Sequence, residues 1–539
     1  MKNYLPALTL VVLNGLLFGG PMKKWIFIFF TFLLLPELIS QGSLISPLEK
    51  SGFSRLSSYG NLMLYLSELT SKYKMIKLEI IGQTLEGRDI PALFFSSDKT
   101  FGNQRVIKPL VLVFCQQHGD EPSGKEAALI LARELMNEKK NLLKSMDLIL
   151  TPQLNPDGAE KNQRRNARDI DLNRNHIILT EPETQALHQL FLKWMPEVTL
   201  DVHEYTAISD RWLANGFIKY ADEQLGALSN MNISPVIREF SRKSFLPAMG
   251  MKVKAAGFSF HEYIVGTPFE NSRLRYSTTA ISDGRQSLGI FNTLSFILEG
   301  KQYSDVINHI ESRTYGQLAT ITAFLQTVAE NSSEILEMVS TARQELLSAE
   351  KSTDRIYLQM EYYPDSTQAK VEFPVFNLSS WQQENRVMEN FHPTVLARKS
   401  ISRPLAYIIP AGEKKLIEIL SRHRIEMNPL PEKSLLDVEI YFLRHVTTFI
   451  EEELEVPYLD MELKSRQKEF PAGSMVIYVS QPAGNLISLL LEPQSSFSLC
   501  TESSGQKERL LEYLKENSEY PVYRLTKPVP VLQIKGKNN

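Results

Sequence analysis

The stretch Val111-Leu-Val-Phe-Cys-Gln-Gln-His-Gly-Asp-Glu121 decides how the chain reads. Its first five residues are apolar without a break, the mark of a strand buried on both faces. His118 and Glu121 follow on the turn as His-x-x-Glu, and Pro122-Ser-Gly124 opens a segment, 125–138, with apolar residues at helical spacing. A histidine and a carboxylate therefore sit where a strand hands over to a helix. That is the carboxyl edge at which open α/β sheets bind ligands. One imidazole nitrogen and one carboxylate from such a turn make half of a catalytic zinc site, leaving room for a third protein ligand. Alone, a single His-Glu pair is a weak signal and is more often structural.

The neighbouring segments extend the pattern. Residues 75–95 read as two strands around the glycine-bounded turn Gly82-Gln-Thr-Leu-Glu-Gly-Arg88. Residues 145–151 are another apolar strand, followed by Asn155-Pro-Asp-Gly158, strong turn chemistry, and an arginine-dense loop that runs to Asn175. Residues 181–194 predict an amphipathic helix, and 198–202 a strand that ends at His203-Glu204. Residues 294–298 return as a buried strand ending at Glu299-Gly300. The intervening 205–290, rich in Gly, Ser and Asn, reads as a lid-like insertion. Segments 48–74 and 303–350 read as helical. Strands alternating with helices predict an α/β fold, with a mixed, mostly parallel, doubly wound sheet flanked by helices. Beyond about residue 352 the texture changes. Segments 355–373 and 475–491 alternate as strands do, with a helix-like stretch at 411–423. The expected organisation is a catalytic domain over 45–350 and a strand-rich accessory α/β domain over 351–539.

At 539 residues the chain is too long for one ordinary core. A net charge of -3 and the lack of a strong basic run give no reason to expect nucleic acid. Cys115 and Cys500 make no disulfide framework, and Cys115 reads as a packed thiol in the buried strand. Lys23-Lys24, the apolar run 25–35 and Ser40-Gln-Gly42 form a signal peptide over 1–41, with Met22 as an alternative start. The run is short of the about 20 apolar residues a membrane span needs. Export, to periplasm or medium, is the expected localisation, with membrane attachment only through an uncleaved N-terminal segment.

Of nine histidines, His118 and His203 stand at the ends of buried strands with a carboxylate beside them. His261 repeats the tripeptide His-Glu-Tyr found at His203, but it lies in the glycine-rich insertion, whereas Thr199-Leu-Asp-Val202 reads cleanly as a core strand. His203 is therefore preferred. The remaining six read as surface or core side chains.

Six motifs, in order, resemble the zinc metallocarboxypeptidases of the carboxypeptidase A/B type. They are Gly82-Gln-Thr-Leu-Glu-Gly-Arg-Asp-Ile90, His118-Gly-Asp-Glu121, Asn155-Pro-Asp-Gly158, Asp171-Leu-Asn-Arg-Asn175, Val202-His203 and Ser295-Phe-Ile-Leu-Glu299. Each is modest; six in register are specific. The resemblance covers roughly residues 50–320. It implies one zinc ion per chain held by His118, Glu121 and His203 with a water in the open position, Asn173 and Arg174 holding the substrate's terminal carboxylate, and Arg164 stabilising the oxyanion. Tyr276, in Arg275-Tyr-Ser-Thr-Thr279, is the candidate for the tyrosine that closes over substrate. The loop between Gly158 and Asp171 is much shorter than in the digestive enzymes, and Arg165 competes with Arg164.

The residues themselves suit that chemistry. Two imidazoles and a carboxylate are zinc ligands, and an open fourth position separates a catalytic from a structural site. Glu299 at a buried strand end is desolvated and able to relay a water proton to a leaving amine. A guanidinium meets a carboxylate with two parallel hydrogen bonds. Specificity falls to residues 281–289, where Asp283 favours a basic terminus and Arg285 an acidic one; the choice stays open. The expected function is an exported zinc carboxypeptidase acting on a peptide or a cell-wall stem peptide. The alternatives are a zinc deacylase of N-acyl amino acids on the same fold and a non-catalytic binding protein on a peptidase scaffold.

Overall fold

A computed structural model of the protein describes residues 44–97, 101, 108–267, 269, 273–348, 355–451, 454–501 and 510–529. The expected signal peptide and the alternative start at Met22 lie outside these residues. The first ten strands are β1 (Ile76–Gln83), β2 (Asp89–Phe95), β3 (Leu110–Cys115), β4 (Asp147–Thr151), β5 (Val198–Thr206), β6 (Phe217–Lys219), β7 (Glu223–Gly226), β8 (Phe260–Glu262), β9 (Leu274–Arg275) and β10 (Leu294–Gln302). Eight of them form one sheet in the order β1-β2-β4-β3-β5-β10-β7-β8. Its central pairs β4-β3, β3-β5 and β5-β10 are parallel. The pairs β1-β2, β2-β4 and β10-β7 are antiparallel. The expected mixed, mostly parallel α/β sheet is the one observed.

Unbroken apolar runs become the central strands because helices cover them: every residue of β3 and β4 is buried. Helix Ser123–Glu134 packs against Ile310–Glu330, which also meets Leu246–Ala255. Helix Pro182–Trp194 opens with proline at its first turn, where the missing N–H has no partner to lose. It stops at Met195, whose φ of 44° turns the chain left-handed. Cys115 and Cys500 are both buried and unbridged, as packed thiols should be.

Two expectations are corrected. The segment 205–290 is not a lid, since β7 and β8 extend the main sheet beyond β10. Strands of four and three residues are too short to show a period. Within 475–491, only Met475–Tyr478 is a strand; Gly484–Leu491 is a helix with all eight residues buried. A helix apolar on every side has no polar face to reveal its period.

The remaining strands are β11 (Arg355–Tyr363), β12 (Val371–Asn377), β13 (Gln382–Met388), β14 (Phe391–His392), β15 (Thr394–Ser402), β16 (Ala406–Ile409), β17 (Asn428–Pro429), β18 (Ser434–Glu451), β19 (Leu454–Phe470), β20 (Met475–Tyr478) and β21 (Ser518–Leu525). Six of these make a sheet in the order β17-β20-β16-β21-β18-β19. Others cross the boundary expected near 351. β12 pairs with β6, setting Val375 opposite Lys219, and β14 pairs with β9, setting Phe391 opposite Leu274. Trp212, Phe217 and Tyr276 share an apolar cluster with Phe373, Val375 and Phe391. The described residues from Ile45 onward pack as one unit. Among the described residues no helix is long and apolar enough to cross a membrane.

Candidate active site

Parallel pairing of β5 with β10 sets Asp201 opposite Ile297, His203 opposite Glu299 and Tyr205 opposite Lys301. Alternation along a strand puts Asp201, His203 and Tyr205 on one face and Glu204 on the other. Glu204 accordingly turns away from His203. It pairs with Arg313 of helix Ile310–Glu330 (Nη2–Oε1 2.6 Å) and accepts the Ser123 N–H at 3.0 Å.

His118 and Glu121 arrive on the turn after β3, which closes when the Glu121 N–H donates to the His118 carbonyl at 3.2 Å. Gly119 is needed there: a Cβ would fall 2.1 Å from the carbonyl carbon of Gly158, so the turn seats directly on Asn155-Pro-Asp-Gly158. Three donor atoms then converge. His118 Nδ1 lies 2.7 Å from Glu121 Oε1, His203 Nδ1 lies 2.9 Å from Glu121 Oε2, and the two Nδ1 atoms are 3.1 Å apart. All three side chains are buried and together could hold a metal ion. Tetrahedral zinc, with bonds of about 2.0–2.1 Å, needs donors about 3.3 Å apart, so the trio fits after slight opening. The outer ring nitrogens support the fit: His118 Nε2 meets Asp171 Oδ1 at 3.0 Å and His203 Nε2 meets Asp201 Oδ1 at 2.8 Å. A carboxylate behind each imidazole fixes its orientation and tautomer and raises its basicity.

Charge is concentrated here. Burial opposes ionisation of Glu121, but the adjacent His118 and His203 hold its carboxyl far below the usual range. Asp171 is likewise held low, against burial, by His118 and Arg164. Burial would lower His203, yet Asp201 and Glu121 raise it well above an ordinary imidazole. A cation therefore enters this site as protons leave it.

His118 and Glu121 open on a cavity of about 910 Å³, whose walls include Glu299, Arg164, Asn173 and Arg174. Glu299 is buried, and burial pushes its carboxyl up to about 7. Arg164 donates to Asp171 Oδ2 at 3.1 Å and to Glu121 Oε1 at 3.3 Å. Arg165 instead lies at the surface, donating to the Asp169 carbonyl at 3.0 Å. Asn173 Oδ1 accepts the Gly284 N–H at 2.7 Å, and Arg174 donates to the Asn173 carbonyl at 2.8 Å. His261 stands apart on β8, bonded to the Glu372 carbonyl at 2.8 Å.

Tyr276 differs from expectation, because it does not line the cavity. Its ring packs edge-on against Phe391 at 4.9 Å, its hydroxyl accepts from Gln368 at 3.1 Å, and Arg242 caps its face at 4.2 Å. Apolar burial against the C-terminal strands outweighs exposure to the cavity. Tyr263 lines the cavity instead, where burial and the nearby Glu299 push its hydroxyl pKa up. The open choice between Asp283 and Arg285 resolves into a pair, Nη2–Oδ2 3.0 Å. Sequence reasoning also passed over Asp171 and Asp201. The signal for Asp201 was present, as Asp-x-His on one strand places both side chains on one face; Tyr263 had none beyond the repeated His-Glu-Tyr.

Residues 62–209, which include His118, Glu121 and His203, match the family described as zinc carboxypeptidase. Over that span the chain resembles a zinc carboxypeptidase domain. Carboxypeptidase 2 of Trichophyton rubrum is 28% identical over 463 residues, 82% of this chain and 81% of that protein. Carboxypeptidase Z of Mus musculus is 30% identical over 143 residues, 23% of this chain and 22% of that protein. A metallo-carboxypeptidase of Burkholderia cenocepacia aligns with a TM-score of 0.40 at 18% identity, covering 52% of this chain and 71% of that one. These matches support a hydrolase of the zinc metallocarboxypeptidase type, and the His-Glu-His cluster could hold a metal ion. The matched span ends before Glu299, which the β5–β10 register brings to the same cavity.

Proposed function

We propose that the chain is an exported carboxypeptidase that holds one zinc ion on His118, Glu121 and His203 and removes the C-terminal residue of a peptide with Glu299 as base. The observation that carries this reading is Glu299 itself, a buried carboxyl in the cavity wall on the strand position opposite His203. Its elevated pKa, about 7 through burial, suits a group that must both take and return a proton near neutrality. Zinc held by His118, Glu121 and His203 would supply Lewis acidity for the scissile carbonyl and would lower the pKa of water, making hydroxide available near neutrality.

The chain's own residues do the rest. Glu299 accepts the proton of the attacking water and hands it to the departing amine nitrogen. Arg164, inside the cavity and beside Glu121, donates to the oxygen that gains charge. Asn173 and Arg174 grip the terminal carboxylate, the amide and guanidinium fixing the last residue against the trio. Tyr263 shares the cavity wall with Glu299 and steadies it there. Export is supported by Lys23-Lys24 and the apolar run that follows.

The test is mass spectrometry of peptide products with the zinc-loaded chain and with Glu299→Gln. The parent should release single C-terminal residues, and the variant should lose about 10²–10⁴-fold in rate while binding zinc as the parent does. Hydrolysis of N-acyl amino acids in preference to peptides, or full turnover by Glu299→Gln, overturns the reading.

A further inference from the structure

We infer that the strand-rich C-terminal part completes the pocket for the substrate's terminal side chain through Met360 and Phe497, and that this pocket takes an uncharged, apolar residue. The inference deepens the function proposed above and rests on it.

Depth in the cavity follows from register. Ile297 precedes Glu299 by two residues on the same strand face and lines the cavity about 6.6 Å deeper, while Tyr205 lies as far above His203. The carboxylate clamp belongs to the deep end. Asn173 is bonded to Gly284, and a Cβ on Gly284 would sit 2.5 Å from Asp201 Oδ2, opposite Ile297. A terminal residue held by Asn173 and Arg174 therefore sends its side chain toward Ile297 and the segment 277–283.

There the C-terminal part closes in. β11 lies along the segment 229–232: Asn232 accepts the Tyr357 N–H at 2.9 Å, and Met360 Sδ accepts the Met231 N–H at 3.2 Å. Ser229 in turn donates to the Thr278 carbonyl at 2.6 Å, linking this strand to the pocket rim. Ser496 N–H donates to the Leu358 carbonyl at 3.0 Å, which brings Phe497 to the same wall. Met360 and Phe497 are each 5% exposed, and both line the cavity.

The charges nearby are already engaged. Asp283 gives one oxygen to Arg285 at 3.0 Å and the other to the Gln286 N–H at 2.6 Å. Arg285 is fully buried and also donates to Ser277 Oγ at 2.8 Å and the Ala227 carbonyl at 3.3 Å. Arg275 donates to the Ser277 carbonyl. Lys219 sits at the shallow end, 4.8 Å over the Tyr205 ring. At the deep end, around Ile297 and the segment 277–283, neither an ammonium nor a carboxylate side chain finds a ready counter-charge, and burying one unpaired is unfavourable. Ile297, Met360 and Phe497 offer an apolar surface that methionine can adapt to ligand shape.

The experiment measures kcat/KM of the zinc-loaded full chain on N-acylated dipeptides ending in Phe, Leu, Ala, Lys or Glu. Phe or Leu should exceed Lys and Glu by about a hundredfold, and Met360→Ala and Phe497→Ala should each cut the Phe-to-Ala ratio about tenfold, mainly through KM. A preference for Lys or Glu, or ratios unchanged in both variants, overturns the inference. If no dipeptide is cleaved, the carboxypeptidase reading has failed. Calorimetric binding of the same dipeptides to the zinc-loaded Glu299→Gln chain then still judges the pocket, on the same ranking.

Discussion

Asp201 Oδ1 lies 2.8 Å from Nε2 of His203, two residues along the same strand face. Gln117 Nε2 reaches both oxygens of Asp201, at 3.0 and 2.9 Å, so the acid that steadies one imidazole is itself held from the turn carrying the other. Asp201→Asn keeps the shape and removes the charge. Zinc affinity should drop about 10–100-fold, read by competition with a chromogenic chelator, with the far-ultraviolet circular dichroism unchanged. Unaltered affinity would dismiss Asp201 as a positioning residue.

The two neighbouring arginines separate cleanly. Arg164 lines the cavity, whereas Arg165 faces out toward Asp169. Arg164→Ala should lower kcat about a hundredfold or more, and Arg165→Ala should stay within about twofold because an exposed cation has little to lose. Equal losses in steady-state assays would refute the assignment.

Arg313 and Glu204 are both buried, 6% and 4% exposed, behind the strand that carries His203. Arg313→Leu leaves the carboxylate without its partner and should destabilise the fold by about 3–5 kcal/mol. Denaturant titration gives the number; a midpoint matching the parent would contradict it.

Three histidines away from the cavity couple folding to acid. His176 Nδ1 is 2.9 Å from His188 Nε2, and His423 Nε2 donates to the Ile177 carbonyl at 2.7 Å. Burial lowers His176 and His423 to about 4. An unfolded histidine titrates near 6.5. The folded chain thus binds fewer protons than the unfolded chain below that pH, and this contribution, complete above about 6.5, drains as pH falls toward 4. His423→Gln keeps a donor for Ile177 and removes one titration. Between pH 7 and pH 4.5 it should lose less stability than the parent, by up to about 1.4 kcal/mol per pH unit. Parallel melting curves for the two would reject this account.

What could be read from residue order alone was local. Apolar runs marked β3, β4 and β10, and the core-strand pattern Val198-Thr-Leu-Asp-Val202 marked β5, because a strand covered on both faces has little polar side to show. His118, Glu121, His203 and Glu299 were legible because strand ends are where open sheets gather ligands. The short strands β7 and β8 were not, and neither was the all-buried helix Gly484–Leu491, since a period needs length and two unlike faces.

By itself, the sequence determined an α/β sheet and the residue types of a zinc site, because both depend on patterns within a few residues of each other. Only tertiary packing decided which arginine turned inward, that Tyr276 went under Phe391 and Tyr263 took its place beside Glu299, and that Asp283 and Arg285 cancelled. It also brought Met360 and Phe497 to a cavity whose other walls lie as far back as His118. Such choices depend on which surfaces meet across hundreds of residues, where burial and counter-charge are set by partners distant in the chain.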